Sequence, residues 1–310
     1  MTATRAWSPR SLTVSGILNI AKPAGMTSFQ VVRMVRRALD ERHVGHAGTL
    51  DPAATGVLPI CLGRATRLVD YLLREPKTYH ARLRLGERSD TGDLEGTITP
   101  GADASHLTRE VVAEALQGFV GRIEQVPPMH SAVRHEGRHL YELARQGMEV
   151  ERAARVVHIL SIDLMAFRPG PTAEAEVTVE CHRGTYLRVL ASDLGDRLGV
   201  GGLLAWLERT AYGPFLLESA VSLEALEAAP DPSTLLLPME LAVLSLPRVD
   251  LLPAGASAIR RGQGTWLAQP PAVPAGTEVR AHGPDGRLLA LGEVRGAHLR
   301  PTKVLVAGAG

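Results

Sequence analysis

Two glycines, Gly48 and Gly56, bracket an Asp-Pro pair in the run His46-Ala47-Gly48-Thr49-Leu50-Asp51-Pro52-Ala53-Ala54-Thr55-Gly56-Val57-Leu58. Few stretches constrain a fold more. Proline at 52 drives Asp51 out of the α region, so the carboxylate must project from extended backbone that enters a turn. The glycines carry no Cβ, which lets a second backbone or a flat group approach on either side. Asp-Pro also opens turns that carry no chemistry, and on the dipeptide alone both readings stand.

The surrounding sequence alternates short strands and amphipathic helices. Gly16 to Ile20 reads as an apolar strand running into a Pro/Gly turn at Ala21–Ser28, where Thr27 or Ser28 can cap a helix over about 28–41. Val31, Met34, Val35, Ala38 and Leu39 form its inward stripe; Arg33, Arg36 and Arg37 face outward. A short helix is expected from Ala65 to Leu73. Thr78–Gly86 alternates cleanly, with Tyr79, Ala81, Leu83 and Leu85 on one face and His80, Arg82 and Arg84 on the other. A helix capped by Thr108 should turn Val111, Val112, Ala115 and Leu116 inward. Strands are expected near 155–165 and 173–181. A helix then places Leu187, Leu190, Leu194 and Leu198 on one face and stops at Gly199. Residues 220–245 read as a helix and a proline-marked linker, and short strands with turns follow from Leu246.

Rival chemistry is sparse. His135-Glu136-Gly137-Arg138-His139 fits the HExxH zinc pattern, but that chemistry needs both histidines on one helical face, and Gly137 sits in the middle with no apolar helical run before it. No phosphate-binding glycine motif occurs. Cys61 and Cys181 make neither a metal pair nor a disulfide framework, so no metal or cofactor is expected and a reducing, cytoplasmic setting is. No apolar run is long enough for a membrane span.

Net charge is +1, which by itself announces no polyanion. The distribution says more: eight basic against four acidic residues from Leu246 onward, and nine against five over residues 20–80, leave the rest acidic. That would suit a chain holding a polyanion at two places, although scattered solvated charge gives similar counts. Only Lys22, Lys77 and Lys303 are lysines; the other 31 basic residues are arginines.

Gly45-His46-Ala47-Gly48-Thr49-Leu50-Asp51-Pro52, Ala54-Thr55-Gly56-Val57-Leu58 and Gly63-Arg64-Ala65-Thr66-Arg67 together resemble the aspartate motif of the TruB family, the bacterial tRNA pseudouridine synthases. Lys22-Pro23 with Gly25-Met26, Lys77-Thr78-Tyr79, Leu85–Thr91, Gly184-Thr185-Tyr186-x-Arg188 and Leu207-Glu208-Arg209 resemble further motifs in the same order. The resemblance implies an α+β fold: a catalytic domain over 11–245 with a mixed, mainly antiparallel sheet flanked by helices, preceded by a disordered tail at 1–10. A small PUA-like RNA-binding β-barrel would follow over 246–310. It also implies isomerisation of uridine 55 in the tRNA T loop, without cofactor, membrane or obligate protein partner. Asp51 would be catalytic. His46, Tyr79, Tyr186 and Leu207 would bind the flipped nucleotide, with Arg188, Lys22 and Asp90 in support and Arg188 paired to Asp51. Ser89, His130, Arg134 and Glu208 depart from the family pattern. A synthase for another RNA and an RNA-folding protein without turnover are the alternatives; the intact Asp51 speaks against the second.

Overall fold

The computed structural model describes residues 14–131 and 133–306; the expected tail at 1–10 lies outside them. The chain opens with β1 (Gly16–Lys22), α1 (Ser28–Leu39), β2 (Val44–His46) and β3 (Thr55–Leu62), then α2 (Val69–Leu72), β4 (Lys77–Leu85) and a small pair, β5 (Glu87–Ser89) with β6 (Ile98–Pro100). After α3 (Arg109–Gln117) and β7 (Gly121–Gln125) comes a hairpin of β8 (Arg134–His135) and β9 (Arg138–His139) leading into α4 (Leu140–Ala144). The long β10 (Arg155–Arg168) and β11 (Ala173–Cys181), α5 (Leu187–Arg197), β12 (Gly202–Tyr212), β13 (Phe215–Leu216) and α6 (Leu223–Ala228) complete the body.

One nine-stranded sheet runs β1-β3-β12-β4-β11-β10-β7, with β2 on β3 and β13 on β12. All its pairings are antiparallel except β12 with β3, where only Glu208↔Thr55 and Arg209↔Gly56 are in register. The mixed, mainly antiparallel sheet is as expected. Clean alternation on β4 and β11 puts Ala81, Leu83, Leu85, Ala175, Val177 and Val179 into one core with α3 and α5. A second core packs α1 and α6 on β1 and β3.

Several expectations need correction. Helix α1 stops at Leu39 because Asp40 adopts a left-handed conformation, φ 45°. Val32 joins its buried stripe, whereas Met34 and Leu39 are half-buried. On α3, Val112 and Leu116, four residues apart, face the core; Val111 lies off that stripe and is exposed. The segment expected as a short helix over 65–73 is a tighter turn at 63–68 followed by α2. The HExxH residues need no correction: they form a hairpin that turns at Glu136 and Gly137, both at positive φ, and not the helix that the zinc pattern requires. Residues 220–245 are more than a linker: Leu237 exchanges backbone bonds with Ile17, and Ala242 and Val243 are buried.

The C-terminal unit comprises β14 (Arg248–Asp250), α7 (Pro253–Arg260), β15 (Thr265–Trp266), β16 (Thr277–His282), β17 (Leu288–Arg295) and β18 (His298–Val304). Its curled sheet, β14-β16-β17-β18-β15, is consistent with a PUA-like module. Strand β17 is apolar on both faces for a reason. Leu289, Ala290 and Val294 fill the module's own core, whereas Leu288 and Leu291, with Leu305, pack into a core shared with Ile17, Val57, Tyr71 and Tyr212 of the body.

Candidate active site

Asp51 sits where three elements meet. Its loop is closed by Ala54 N–H donating to Asp51 O at 3.1 Å and is pinned to α1 by Ser28, whose Oγ donates to Leu50 O and accepts from Leu50 N at 3.1 and 3.0 Å. Lys22, at the end of β1, is buried and donates Nζ to Pro23 O, Met26 O and Pro52 O at 2.8, 2.6 and 3.1 Å. It ties the Pro/Gly turn to the residue following Asp51. Gly56 adopts φ 105°, and a Cβ there would fall 2.2 Å from Arg209 O; at Gly48 a Cβ would meet the Tyr212 ring at 3.3 Å. The close approaches foreseen for these glycines are thus to the protein's own β12.

Arg188, in the first turn of α5, reaches across the pocket. Its Nη2 lies 3.1 Å from Asp51 Oδ2 and its Nη1 lies 3.5 Å from Asp93 Oδ2; the same nitrogens donate to His130 O at 2.8 Å and Thr91 O at 3.2 Å. The guanidinium bridges two carboxylates and two carbonyls. Its side chain is only 6% exposed while that of Asp51 is 42% exposed, so a substrate meets the carboxylate and the arginine works from behind it.

Electrostatically the two effects on Asp51 oppose each other. Loss of hydration raises its pKa above the ordinary carboxylate value; Arg188 pulls it down, Asp93 pushes it up and Lys22 pulls it down, and the balance is a raised value. Burial lowers the Lys22 pKa to about 8, with Asp51 opposing that shift. Lys77 is likewise lowered to about 8, by burial first and then by Arg209.

A cavity of about 260 Å³ opens beside Asp51, bounded by Tyr79, Tyr186, Leu207, His130, Lys77 and Arg209 among others. Of the residues expected from sequence, Asp51, Arg188, Tyr79, Tyr186 and Leu207 converge here. Tyr186 is held at the start of α5 by Gln125, whose side-chain amide accepts from Tyr186 N at 3.0 Å and donates to Tyr186 O at 3.3 Å. His46 stands on β2 opposite Ile60, outside the cavity wall, with its pKa lowered by burial and then by Arg209. Asp90 does not reach the site either. Its Oδ1 accepts from Thr97 N at 2.8 Å and holds the turn between β5 and β6. The residue of this loop whose carboxylate reaches Arg188, beside that of Asp51, is Asp93. Gly92, at φ 75°, has its Cα close enough to α5 that a Cβ would lie 3.3 Å from Arg188 Cβ, and this brings the following aspartate to the guanidinium.

Sequence reasoning missed Asp93, Arg209, Gln125 and the part played by Ser28. Asp93 could have been found as the second aspartate after Gly86. Arg209 was visible only as the end of a motif, Ser28 only as a helix cap, and Gln125 carried no signal. Glu208, a departure from the family pattern, accepts from Thr55 Oγ1 at 3.1 Å at the exit of the aspartate loop. No group of three or more His, Cys, Asp or Glu able to hold a metal occurs among the described residues, and none of their helices is long and apolar enough to cross a membrane.

Residues 36–187 match the family model described as TruB family pseudouridylate synthase (N terminal domain), and residues 188–244 match tRNA pseudouridylate synthase B C-terminal domain. The tRNA pseudouridine synthase B of Symbiobacterium thermophilum is 50% identical over 258 residues, 83% of this chain and 85% of that one. That of Aromatoleum aromaticum is 44% identical over 309 residues, 99% and 97% of the two chains. Among solved structures, the Cbf5-Nop10-Gar1 complex contains a chain similar at TM-score 0.71 and 27% identity, over 94% of this chain and 85% of that chain. An H/ACA RNP bound to a substrate RNA containing 2'-deoxyuridine contains another, at TM-score 0.71 and 25% identity over 95% and 86%. The boundary between the two matched segments falls immediately before the arginine that holds Asp51, so both segments build one site. The chain belongs to the TruB family of pseudouridylate synthases.

Proposed function

We propose that this protein isomerises uridine to pseudouridine at position 55 of the T loop of tRNA, acting in the cytoplasm on the T stem-loop. The observation that carries this reading is the half-buried Asp51 carboxylate, held by the buried Arg188 at the mouth of an aromatic-lined cavity. A base stacked in RNA must be flipped out to reach such a cavity. Tyr79 and Tyr186 offer rings to stack on it, Leu207 an apolar wall, and His46 on β2 a group beside the vacated stack.

Asp51 acts as nucleophile at the ribose or uracil, or as base; each route ends with the N1–C1′ bond broken, the uracil turned and C5 joined to C1′. Arg188 favours the ionised carboxylate and fixes its direction, Asp93 and Lys22 hold the arginine and the loop in place, and Asp90 supports the turn that presents Asp93. The module over 246–310, with its basic surplus, provides a second RNA contact. Relatives at up to 50% identity named for tRNA favour that substrate over another RNA. The test is incubation with unmodified tRNA and mapping of pseudouridine. Asp51→Asn should bind tRNA within a few-fold of wild type and form product at less than about 10⁻³ of its rate, because a neutral amide of the same shape is neither nucleophile nor base. Product at another position, or substantial turnover by Asp51→Asn, would overturn the assignment.

A further inference from the structure

Arg209 is the largest side chain buried to below 2% exposure, and no carboxylate among the described residues lies within ion-pairing distance of it. Its partners are neutral. Nε donates to Val57 O at 2.7 Å, Nη2 donates to Gly48 O at 3.3 Å, the guanidinium lies 5.0 Å over the Tyr212 ring, and the Tyr79 hydroxyl is beside it. Lys77 lies against the same tyrosine ring at 4.4 Å and donates Nζ to the backbone carbonyls of Leu73 and Glu75. The acids ion-paired at the cavity, Asp51 and Asp93, are both engaged by Arg188. A buried charge without a counter-charge costs several kcal/mol, and a backbone clamp alone would not require one. Arg209 also forms part of the cavity wall, next to Tyr79.

We infer that Arg209 is a further residue of the reaction: a preorganised cation at the cavity wall that stabilises the uracil as negative charge develops on it. When the N1–C1′ bond breaks, the electron pair stays with the ring and spreads over N1 and the two carbonyl oxygens. C5 then bonds to C1′, the C5 proton leaves and N1 is protonated, so the net change is isomerisation with no external reagent. A fixed cation at the cavity wall opposes the charge only while it exists, which is where rate is gained. Burial first, and Arg209 after it, lower the pKa values of His46, Lys22 and Lys77.

This inference rests on the synthase reading, so wild-type turnover is measured in parallel: a wild type that makes no pseudouridine overturns both, whereas an active wild type leaves the variants to decide on Arg209 alone. Arg209→Lys keeps charge and loses the fork, Arg209→Gln keeps donors and loses charge, and Arg209→Met loses both. Melting temperatures establish which variants fold, and the Lys–Gln pair decides even if Met does not. With saturating tRNA, Gln should lower the single-turnover rate by on the order of 10²-fold, with tRNA affinity changed less than about threefold, and Lys should recover at least about tenfold of that loss. A residue that only clamps Gly48 and Val57 would give the reverse order, with Gln at or above Lys. That order, or losses confined to affinity, would overturn the inference.

Discussion

At Asp51 a single carboxylate is pushed toward its neutral form by burial and toward its charged form by Arg188, and burial prevails. A raised pKa makes the acidic limb of the rate profile rise through a pH above the ordinary carboxylate value. Replacing Arg188 with alanine removes the largest lowering influence and leaves two raising ones, lost hydration and Asp93. The limb should therefore move to higher pH. Activity at pH 7 should fall by about 10²-fold or more and recover in part as pH rises. Arg188→Lys should rescue poorly, because one ammonium cannot span Asp51, Asp93, His130 O and Thr91 O as the guanidinium does. A pH–rate profile of Arg188→Ala parallel to wild type would show that the pair does not control ionisation. The Asp51–Arg188 pair was legible in the sequence because each lay in a motif with a need the other met. Asp93 was not: Asp90 and Asp93 share a polar loop, and only the backbone geometry at Gly92 tells which of them faces α5.

Among the elements, β4, β11 and α5 were readable because each buries one face and so keeps a clean period. Strand β12 was not, although it stands between β3 and β4 and carries Leu207, Glu208 and Arg209. Register shifts against β4 between Leu204 and Trp206 and between Arg209 and Ala211 break its alternation twice. Between those shifts the register is regular, so Leu207 and Arg209, two residues apart, share a face and both line the cavity. The parallel junction of the nine-stranded sheet, β3 with β12, depends on Gly56. A Cβ there would meet Arg209 O at 2.2 Å and Arg209 N at 2.7 Å, and φ is 105°. Gly56→Ala must part the strands at the point where the aspartate loop ends. Denaturant unfolding should show a loss of at least about 2 kcal/mol, with activity falling more than stability explains. An alanine variant of unchanged midpoint would mean that the junction tolerates a side chain.

For the molecule as a whole, the basic surplus from Leu246 onward points to RNA, but the module that carries it is welded to the body. Leu288, Leu291 and Leu305 share a core with β1 and β3, Arg64 and Arg67 donate to Leu305 O and Val304 O, and the Tyr71 hydroxyl donates to Glu278. Deleting the module would strip that core and confound binding with unfolding, which the sequence, showing only a change to short strands, could not reveal. Charge removal on the intact fold separates the two. Arg261 and Arg300 are exposed, and neither is ion-paired among the described residues; changing both to glutamine removes only the surface hydrogen bonds from Arg261 to Ser257 and Gln263 and leaves the buried core intact. If the module touches the tRNA backbone through them, the slope of log Kd against log salt should flatten by about one for each phosphate that the variant no longer neutralises. The single-turnover rate at saturating tRNA should not change, since both side chains lie on the module rather than at the cavity. An unaltered salt slope would move the RNA-binding surface to the other basic region, where Arg33 and Arg37 line the exposed face of α1.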